Sequence, residues 1–342
     1  MKAIAFQRHG GPEVLEAMDL PDPSPGQGEV RVAIRAAALN HLDIWVRNGL
    51  GAVIPMPHVG GSDGAGVVDA VGPGVESVAP GDPVMISPGL SCGACPECLS
   101  SRESRCPAFR IVGFQTQGTY ATHCVVPARN CLPIPPGLPF PEAAAIPLTF
   151  LTAYHMLFTR GQLRPGETVH VPGCASGVGT AAIQLAAAAG ARVIAAGGGS
   201  EKVALAKRLG AWEALDSSSN KNIGDEVRRL TAGRGADLVV DHLGGDYTPS
   251  AAALCARGGR VVVCGATAGP QFTLPLRALY VPEISILGAY MGSRWELVEA
   301  LRLVAHGRAR PVIDRTFPLA RAADAQRRME TRQNLGKIVL VP

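Results

Sequence analysis

Residues 168–202 constrain the fold of this chain more than any other stretch. They open with a short apolar run at 169–171, which is typical of a buried strand. Gly173, Gly177 and Gly179 follow in close succession. Residues 178–189 are Ala-rich and, after Gly179, contain no internal Gly or Pro, so they favour a helix. Residues 192–196 then predict a second buried strand.

Strand, glycine-rich turn, helix and strand form the βαβ unit that holds a dinucleotide. The glycines let the backbone approach a pyrophosphate, and the helix N-terminus offers free N–H groups and the positive end of its dipole. A plain structural turn is the alternative, but the placement between a strand and a helix favours cofactor binding. The predicted pyrophosphate contacts are Gly173, Ser176, Gly177, Val178 and Gly179.

The end of the second strand, residues 196–200, bears on the choice of cofactor. Folds specific for NAD usually carry an acid about 20 residues after the glycine turn, where it binds the ribose 2′-hydroxyl. No acid occurs between the glycine turn and Glu201. Small residues leave room for a 2′-phosphate, with Gly198, Ser200 and Lys202 as contacts. We therefore expect NADP(H) in preference to NAD(H), and a loop indifferent between them is the alternative.

Apolar runs at 236–241, 260–264 and 284–287 predict further parallel strands. Ligands of open α/β sheets lie at the carboxyl ends of the strands. Residues just after two of these runs are thus expected to contact the nicotinamide half, although ordinary strand-to-helix turns are the alternative. These residues are Gly265, Ala266, Thr267, Gly288 and Ala289.

The chain before residue 149 is rich in Gly and Pro and has a different pattern. Short β-type runs occur at 30–36, 66–71, 83–86 and 119–126, with turn-forming residues between them. This pattern predicts a small barrel-like β domain. At 342 residues the chain is long enough for two domains.

Four cysteines form the pattern C-x2-C-x2-C-x7-C: Cys92, Cys95, Cys98 and Cys106. Four thiolates on one loop can surround a tetrahedral Zn²⁺ and leave no open coordination position, so this zinc would be structural. A ferredoxin-type iron–sulfur run has a last gap of three residues instead of seven. An empty or oxidised loop is the remaining alternative.

Composition excludes several classes of function. The net charge of +4 is small for this length, and no basic run points to nucleic acid. The first residues lack the apolar segment of a signal peptide, and no apolar run is long enough to cross a membrane. We therefore expect a cytoplasmic protein without nucleic-acid or membrane partners.

Several motifs together resemble the medium-chain dehydrogenase/reductase superfamily over nearly the full length. They are residues 36–40 with Asp43, G-S-D-G-A-G-V-V at 61–68, the four-cysteine loop, L-T-A-Y at 151–154, the glycine turn and G-K-I-V at 336–339. The resemblance implies an α/β fold in which a Rossmann doubly wound parallel sheet domain, 149–290, is inserted in a GroES-like β-barrel catalytic domain, 1–148 and 291–342. It also implies a homodimer or homotetramer joined through the edge of the Rossmann sheet.

Zinc alcohol dehydrogenases of that superfamily hold a catalytic zinc with Cys, His and Cys. The resemblance places Asn40, Ser62 and Leu148 at those positions, with Asp63 at the neighbouring acidic position. Amide, hydroxyl and alkyl groups do not replace thiolate and imidazole as zinc ligands. The G-S-D-G-A-G version resembles the quinone oxidoreductase branch, which works without catalytic zinc.

Hydride transfer without a Lewis acid requires an acceptor that is already electrophilic, such as a quinone or an α,β-unsaturated carbonyl. The candidate catalytic residues are Asn40, His41, Asp43 and Asp63. A second hypothesis is an alcohol dehydrogenase or aldehyde reductase with an atypical metal site built from His41, His58, Asp43 and Asp63. A third is a non-enzymatic dinucleotide-binding protein. The substrate would be a small carbonyl compound, quinone or alcohol.

Overall fold

The computed structural model describes residues 1–51, 53–220 and 222–342. Its contacts divide the chain into two compact units. The first unit contains Met1–Leu148, Ser293–Leu297 and Pro311–Pro342, and the second contains Thr149–Gly292 and Val298–Arg310. The expected division into a GroES-like catalytic domain, 1–148 and 291–342, and a Rossmann domain, 149–290, stays a prediction.

Strands of the described residues are numbered β1 to β18 in chain order: Lys2–Phe6, Glu16–Asp19, Glu29–Ala38, His58–Val59, Asp63–Val71, Pro83–Ile86, Gly89–Leu90, Arg110–Ile111, His123–Pro127, Cys131–Pro133, Thr168–Val171, Arg192–Gly197, Glu213–Asp216, Ala236–Asp241, Cys255–Val263, Ser285–Gly288, Ile313–Pro318 and Lys337–Val341.

Helices of the same residues are numbered α1 to α11: His41–Asn48, Pro96–Leu99, Phe140–Ala144, Pro147–Tyr154, Gly177–Ala188, Ser200–Arg208, Ile223–Leu230, Tyr247–Leu254, Leu276–Tyr280, Arg294–Ala305 and Ala322–Glu330. None of them is long and apolar enough to cross a lipid bilayer.

The first unit is built on a seven-stranded sheet. Its strands follow the order β10-β6-β5-β3-β18-β17, and β9 pairs with β3. The central strand β3 alternates along its length, so Val30, Val32 and Ile34 point into a core that they share with Val68 and Ile338. This sheet brings the last strand of the chain next to the third, and that pairing positions the candidate active site.

The second unit contains a six-stranded sheet in the order β13-β12-β11-β14-β15-β16, and every neighbouring pair is parallel. The central strands β11, β12 and β14 are almost entirely buried, and Ile194, Val239 and Val261 lie in one core cluster. From β11 the chain first adds strands on one side, β12 and β13, and then on the other, β14 to β16, as in a doubly wound sheet. The predicted fold class, a Rossmann sheet domain with a GroES-like β-barrel domain, is confirmed.

Helix α5 shows why the sequence of the glycine turn folds as predicted. Its Ala-rich run packs against β11 and β12 with small side chains. Ser176 caps its N-terminus, and Gly190, at φ +80°, follows its C-terminus. The observed bounds, Gly177–Ala188, agree with the predicted 178–189 within one residue at each end.

Candidate active site

The glycine turn between β11 and α5 is closed too tightly for larger residues. A Cβ added at Gly179 would lie 2.4 Å from the carbonyl oxygen of Gly173, which itself has a φ of +51°. The Ser176 hydroxyl accepts a hydrogen bond from the Gly179 N–H at 2.9 Å. The turn is therefore fixed before any ligand binds.

Two N–H groups at the start of α5, those of Gly177 and Val178, have no acceptor within the described chain. They lie at the positive end of the helix dipole, where an anionic group is stabilised. Together with the tight turn, these donors fit the pyrophosphate of a dinucleotide.

His242 lies against this turn and was not singled out by the sequence analysis. Its Nε2 is 3.0 Å from the Ser176 Oγ, and the Gly173 Cα faces the same ring nitrogen so closely that an added Cβ would lie 2.8 Å from it. The imidazole thus fixes the capping hydroxyl. His242 follows directly after β14, so only the pairing of β14 with β11 reveals the contact.

The loop after β12 contains Gly198 and leads into α6, in which Ser200 is the first residue and Lys202 the third. The absence of an acid near this loop was inferred from sequence distance alone. In the folded chain the Asp216 carboxylate reaches it from the end of β13 and accepts a hydrogen bond from the Gly199 N–H at 2.8 Å. The premise that the loop is free of acids is therefore wrong.

The residues predicted to contact the nicotinamide half lie at the same edge of the sheet. Gly265, Ala266 and Thr267 follow β15, and Gly288 ends β16. The Ala289 N–H donates to the Val263 carbonyl at 2.8 Å. This places them at the carboxyl ends of adjacent strands, and their contact with a cofactor stays a prediction.

In the first unit, three polar side chains from distant parts of the chain form a buried cluster, which we call the Asn40 group: Asn40, Asp63 and Lys337. Asn40 follows β3, Asp63 begins β5 and Lys337 begins β18. Antiparallel pairing sets Ala38 opposite both Asp63 and Val339. Strand register therefore brings the three together.

The Lys337 ammonium donates to the Asn40 Oδ1 at 2.6 Å and to the Asp63 Oδ2 at 2.9 Å. The Asn40 amide donates to the same Asp63 oxygen at 2.9 Å. The other carboxylate oxygen, Oδ1, accepts from the Leu148 N–H at 2.9 Å. The Asp63 side chain is fully buried and that of Lys337 is 4% exposed, so the ion pair lies away from water.

Asp43 adjoins the Asn40 group on helix α1. Its Oδ2 accepts from the Asn40 N–H at 2.8 Å and from the Tyr120 hydroxyl at 2.7 Å. Burial raises the pKa of Asp43 to about 6, because a charge is disfavoured away from water; the two hydrogen bonds oppose this shift. Its Oδ1 and the Ser62 hydroxyl are buried without a hydrogen-bond partner in the described chain.

His41 begins α1, next to Asn40. Burial, followed by the charges of Arg332 and Lys337, lowers its pKa, so the imidazole is neutral at pH 7. His58 lies elsewhere: it belongs to β4, its Nε2 is 3.1 Å from the Gly113 carbonyl and its ring packs on Phe6.

The set His41, His58, Asp43 and Asp63 does not converge on a metal-binding geometry. Within residues 1–51, 53–220 and 222–342, the four cysteines are the one group of three or more Cys, His, Asp or Glu side chains close enough to share a metal ion. The Asp63 oxygens are instead occupied by Lys337, Asn40 and Leu148.

The cysteine loop has the geometry of a closed zinc site. The ligand atoms of Cys92, Cys95, Cys98 and Cys106 all lie within 4.8 Å of one another, with Sγ–Sγ distances of 3.5 to 3.8 Å for three of the pairs. A tetrahedron with Zn–S bonds of about 2.3 Å has edges of about 3.8 Å. N–H groups of Ala94 and Cys95 lower the pKa of Cys92 to about 6 and so favour its thiolate. The donor set fits Zn²⁺.

Comparisons with known proteins agree with this geometry. Residues 26–136 match the family model described as "Alcohol dehydrogenase GroES-like domain", and residues 177–306 match "Zinc-binding dehydrogenase". The chain is 32% identical to an alcohol dehydrogenase of Schizosaccharomyces pombe over 99% of this chain and 97% of the relative. It is 33% identical to a quinone oxidoreductase of Pseudomonas aeruginosa over 100% of this chain and 99% of the relative.

A solved structure described as an NAD-dependent alcohol dehydrogenase is similar over the full length of both chains, with a TM-score of 0.96 and 48% identity. The chain belongs to the medium-chain dehydrogenase/reductase superfamily. It is an NAD(P)-dependent oxidoreductase of that superfamily. The hypothesis of a non-enzymatic dinucleotide-binding protein is wrong.

This medium-chain dehydrogenase/reductase departs from the zinc alcohol dehydrogenase pattern around Asn40. Of the three positions that the resemblance assigns to catalytic zinc ligands, Asn40 donates to Asp63 and Leu148 contributes a backbone N–H. The Ser62 hydroxyl is buried and has no hydrogen-bond partner among the residues that the structure describes. The residues present there do not fit a catalytic zinc ion.

Sequence reasoning found Asn40, Asp43 and Asp63 through the family motifs but missed Lys337 and Tyr120. Lys337 lies 274 residues after Asp63 and Tyr120 lies 77 residues after Asp43. Lys337 belongs to the G-K-I-V motif at 336–339, and its position at the start of an apolar run was the one signal in the sequence.

Proposed function

We propose that this protein transfers hydride from a nicotinamide cofactor to a quinone or an α,β-unsaturated carbonyl without a metal in the Asn40 group. The observation that supports this most is the closed ion pair of Asp63 and Lys337, bridged by the Asn40 amide. The carboxylate there is neutralised by an ammonium, so the position offers no ligand set for Zn²⁺. The acceptor must then be electrophilic through its own conjugation.

The Asn40 group contributes donors and positive charge to this reaction. A bound nicotinamide supplies the hydride, and negative charge develops on the acceptor oxygen. An ammonium has three N–H donors, and the described chain engages two of those of Lys337. Fixed donors in a buried site stabilise such charge without reorganisation. Asn40 and His41 are the proposed contacts, and Asp43 and Asp63 hold them in position.

The cofactor is proposed to lie with its pyrophosphate at the start of α5, contacting Gly173, Ser176, Gly177, Val178 and Gly179. The nicotinamide half would then follow the sheet edge to Gly265–Thr267 and Gly288. Ser200 and Lys202, at the first turn of α6, support a preference for NADP(H) because a hydroxyl and an ammonium can bind a 2′-phosphate.

The cysteine loop is proposed to hold one structural Zn²⁺. Four thiolates complete its coordination, so this ion stabilises the loop and takes no part in hydride transfer. A second copy of the chain is the proposed partner, as a homodimer or homotetramer. The proposal includes no nucleic-acid or membrane partner, and places the protein in the cytoplasm.

A second candidate is an NAD-dependent alcohol dehydrogenase or aldehyde reductase. It is favoured by the similarity, at 48% identity and a TM-score of 0.96, to a solved structure of that description. This candidate requires a catalytic metal ion, and the Asn40 group supplies no ligand set for one.

Metal counting combined with a substrate screen separates the two. We expect one zinc per chain, released by thiol modification, and reduction of quinones or enones by NADPH that persists after treatment with a chelator that removes accessible metal. Two tightly bound zinc ions per chain, or turnover of alcohols alone, would reject the proposal.

Asn40→Ala tests the role of the group directly. We expect kcat to fall about 10- to 100-fold with little change in cofactor affinity, because the amide that holds the Lys337 ammonium in place is lost. Asn222→Ala, at an exposed position before α7, is the matched control. An unchanged kcat in Asn40→Ala would remove this residue from the mechanism.

A further inference from the structure

Asp216 ends β13 and lies beside Gly197, the last residue of β12, with which it is paired in parallel register. Its carboxylate therefore lies at the carboxyl ends of the strands, next to the loop that leads from β12 into α6. This residue has no part in the Asn40 group or in the glycine turn.

The Asp216 Oδ1 binds three donors. It accepts from the Gly199 N–H at 2.8 Å, from the Ser218 N–H at 2.9 Å and from the Ser218 hydroxyl at 2.6 Å. The hydrogen bond from the Ser218 hydroxyl, followed by that from Gly199, lowers the pKa of Asp216 to about 2. The side chain is thus an anion throughout the neutral range.

These contacts change what the loop can offer to a ligand. Gly199 has a φ of +93° and directs its N–H at Asp216, so this donor is already engaged. The next strand also brings serines to the loop: a Cβ added at Gly198 would lie 3.8 Å from the Ser218 Cβ and 4.0 Å from the Ser217 Oγ. The loop therefore faces one fixed negative charge and several hydroxyl groups.

The end of the second strand of a dinucleotide-binding sheet is where the adenosine ribose binds. A carboxylate there accepts a hydrogen bond from a ribose 2′-hydroxyl, whereas it repels a 2′-phosphate with its charge of about −2. Lys202, two residues into α6, has the opposite effect on that phosphate. Asp216 and Lys202 therefore have opposite effects on the binding of a phosphate at the 2′ position of the adenosine ribose.

We propose that Asp216 is a specificity-determining residue which weakens the binding of NADP(H) relative to NAD(H). The proposal rests on the cofactor site proposed above. The residue that distinguishes NADP(H) from NAD(H) would then lie at the end of β13, and not at the end of β12 where the acid of NAD-specific folds usually lies.

Asp216→Asn provides the test, because the amide oxygen can still accept from Gly199 and Ser218 while the charge is removed. Dissociation constants for NADPH and NADH are measured on the intact protein by the change in cofactor fluorescence. We expect the ratio of NADH to NADPH dissociation constants to rise on the order of tenfold, because NADPH binds more tightly to the variant while NADH does not. The rise should shrink at high salt, which screens this partly exposed charge.

Asp225→Asn removes an exposed charge elsewhere in the same unit and is the matched control; its ratio should stay at the wild-type value. If Asp216 merely shapes the loop, Asp216→Asn weakens both cofactors equally and the proposal is overturned. Asp216→Ser, which keeps a small hydroxyl acceptor, gives the same reading should the Asn variant not fold. If wild type binds neither cofactor, the cofactor site itself is wrong, which is a different failure.

Discussion

Asp63 and Lys337 form an ion pair buried in the interior of the first unit. Both are nearly inaccessible to water, and each is the charge partner of the other. A buried ion pair adds little stability compared with an apolar pair of the same volume, but removal of one partner leaves an uncompensated charge. The function of this pair and its contribution to stability can therefore be separated by mutation.

Lys337→Met should destabilise the protein by about 3–5 kcal/mol, because the Asp63 carboxylate is left buried without a counter-charge. The double variant Lys337→Met with Asp63→Asn should recover a large part of that loss while activity remains low. Urea unfolding of both variants and of wild type measures this. Equal stability of the single and double variants would contradict the explanation.

Asp43 predicts a dependence of stability on pH. Burial raises its pKa to about 6 from the ordinary 3.8, so its contribution to stability is complete below the unfolded value and declines as pH rises through about 6. Asp43→Asn lacks this titration. Between about pH 4.5 and 7.5, the free energy of unfolding of this variant relative to wild type should rise on the order of 1–3 kcal/mol.

Denaturant unfolding at several pH values within that range checks the Asp43 prediction. Asp225→Asn, an exposed acid in the second unit, serves as the control. A difference between Asp43→Asn and wild type that is constant with pH would show that Asp43 does not titrate as described.

At the scale of elements, strand β5 explains the glycines of the motif at 61–66. A Cβ at Gly61 would lie 2.4 Å from the Tyr120 ring, at Gly64 2.7 Å from Thr119, and at Gly66 2.0 Å from the carbonyl oxygen of Ala33 on β3. The strand must pass this close for Asp63 to meet Asn40. The glycines thus allow the close packing that forms the site.

Gly66→Ala should be strongly destabilising, by about 3 kcal/mol or more, since the obstructing atom is backbone that cannot move without breaking the pairing of β3 and β5. Gly60→Ala is the control, because its added Cβ would make only an ordinary contact of 3.7 Å with Tyr120. Thermal unfolding of the two variants gives the comparison. Similar melting temperatures would show that β5 can shift.

The same scale shows which features can be predicted from sequence. Strong periodicity and glycine turns predicted β11, α5 and β12 nearly to the residue. Strand β13 and helices α7 and α8 were missed, because they are short and, in β13, only half-buried. Asp216 was missed together with β13. The rule that places an acid about 20 residues after the glycine turn examines only the end of β12, whereas Asp216 lies at the end of β13.

The site around Asn40 was predictable only in part for a related reason. Motif residues close in sequence identified Asn40, Asp43 and Asp63. Lys337 and Tyr120 reach them through strand pairing over long separations, and no local pattern encodes such a contact. The absence of usual zinc ligands was visible in the sequence, whereas the ion pair in their place required the fold.

At the scale of the whole molecule, the two units differ in continuity. The second is nearly continuous, from Thr149 to Arg310 apart from Ser293–Leu297, and contains all six strands of its sheet. The first is assembled from three stretches, and β17 and β18 complete its main sheet. Independent folding is thus expected of the second unit alone.

A fragment of residues 149–310 should unfold cooperatively and bind a nicotinamide dinucleotide, whereas residues 1–148 alone should not show a cooperative transition. The shorter fragment lacks β18 and the countercharge of Asp63. Circular dichroism during thermal unfolding and cofactor titration measure both. Cooperative unfolding of residues 1–148 would contradict this assignment of units.

The place of β18 between β3 and β17 has a consequence for biosynthesis. Until β18 has been synthesised, the end of β3 at Ala37 and Ala38 has one unpaired edge, although β9 can already pair with residues 29–33, and Asp63 has no cation as partner. The nascent polypeptide keeps this unpaired strand end and this uncompensated carboxylate until Lys337 leaves the exit tunnel. The main sheet of the first unit therefore cannot be completed before β18 has been synthesised, and until then the unpaired strand end and the buried acid are open to non-native association.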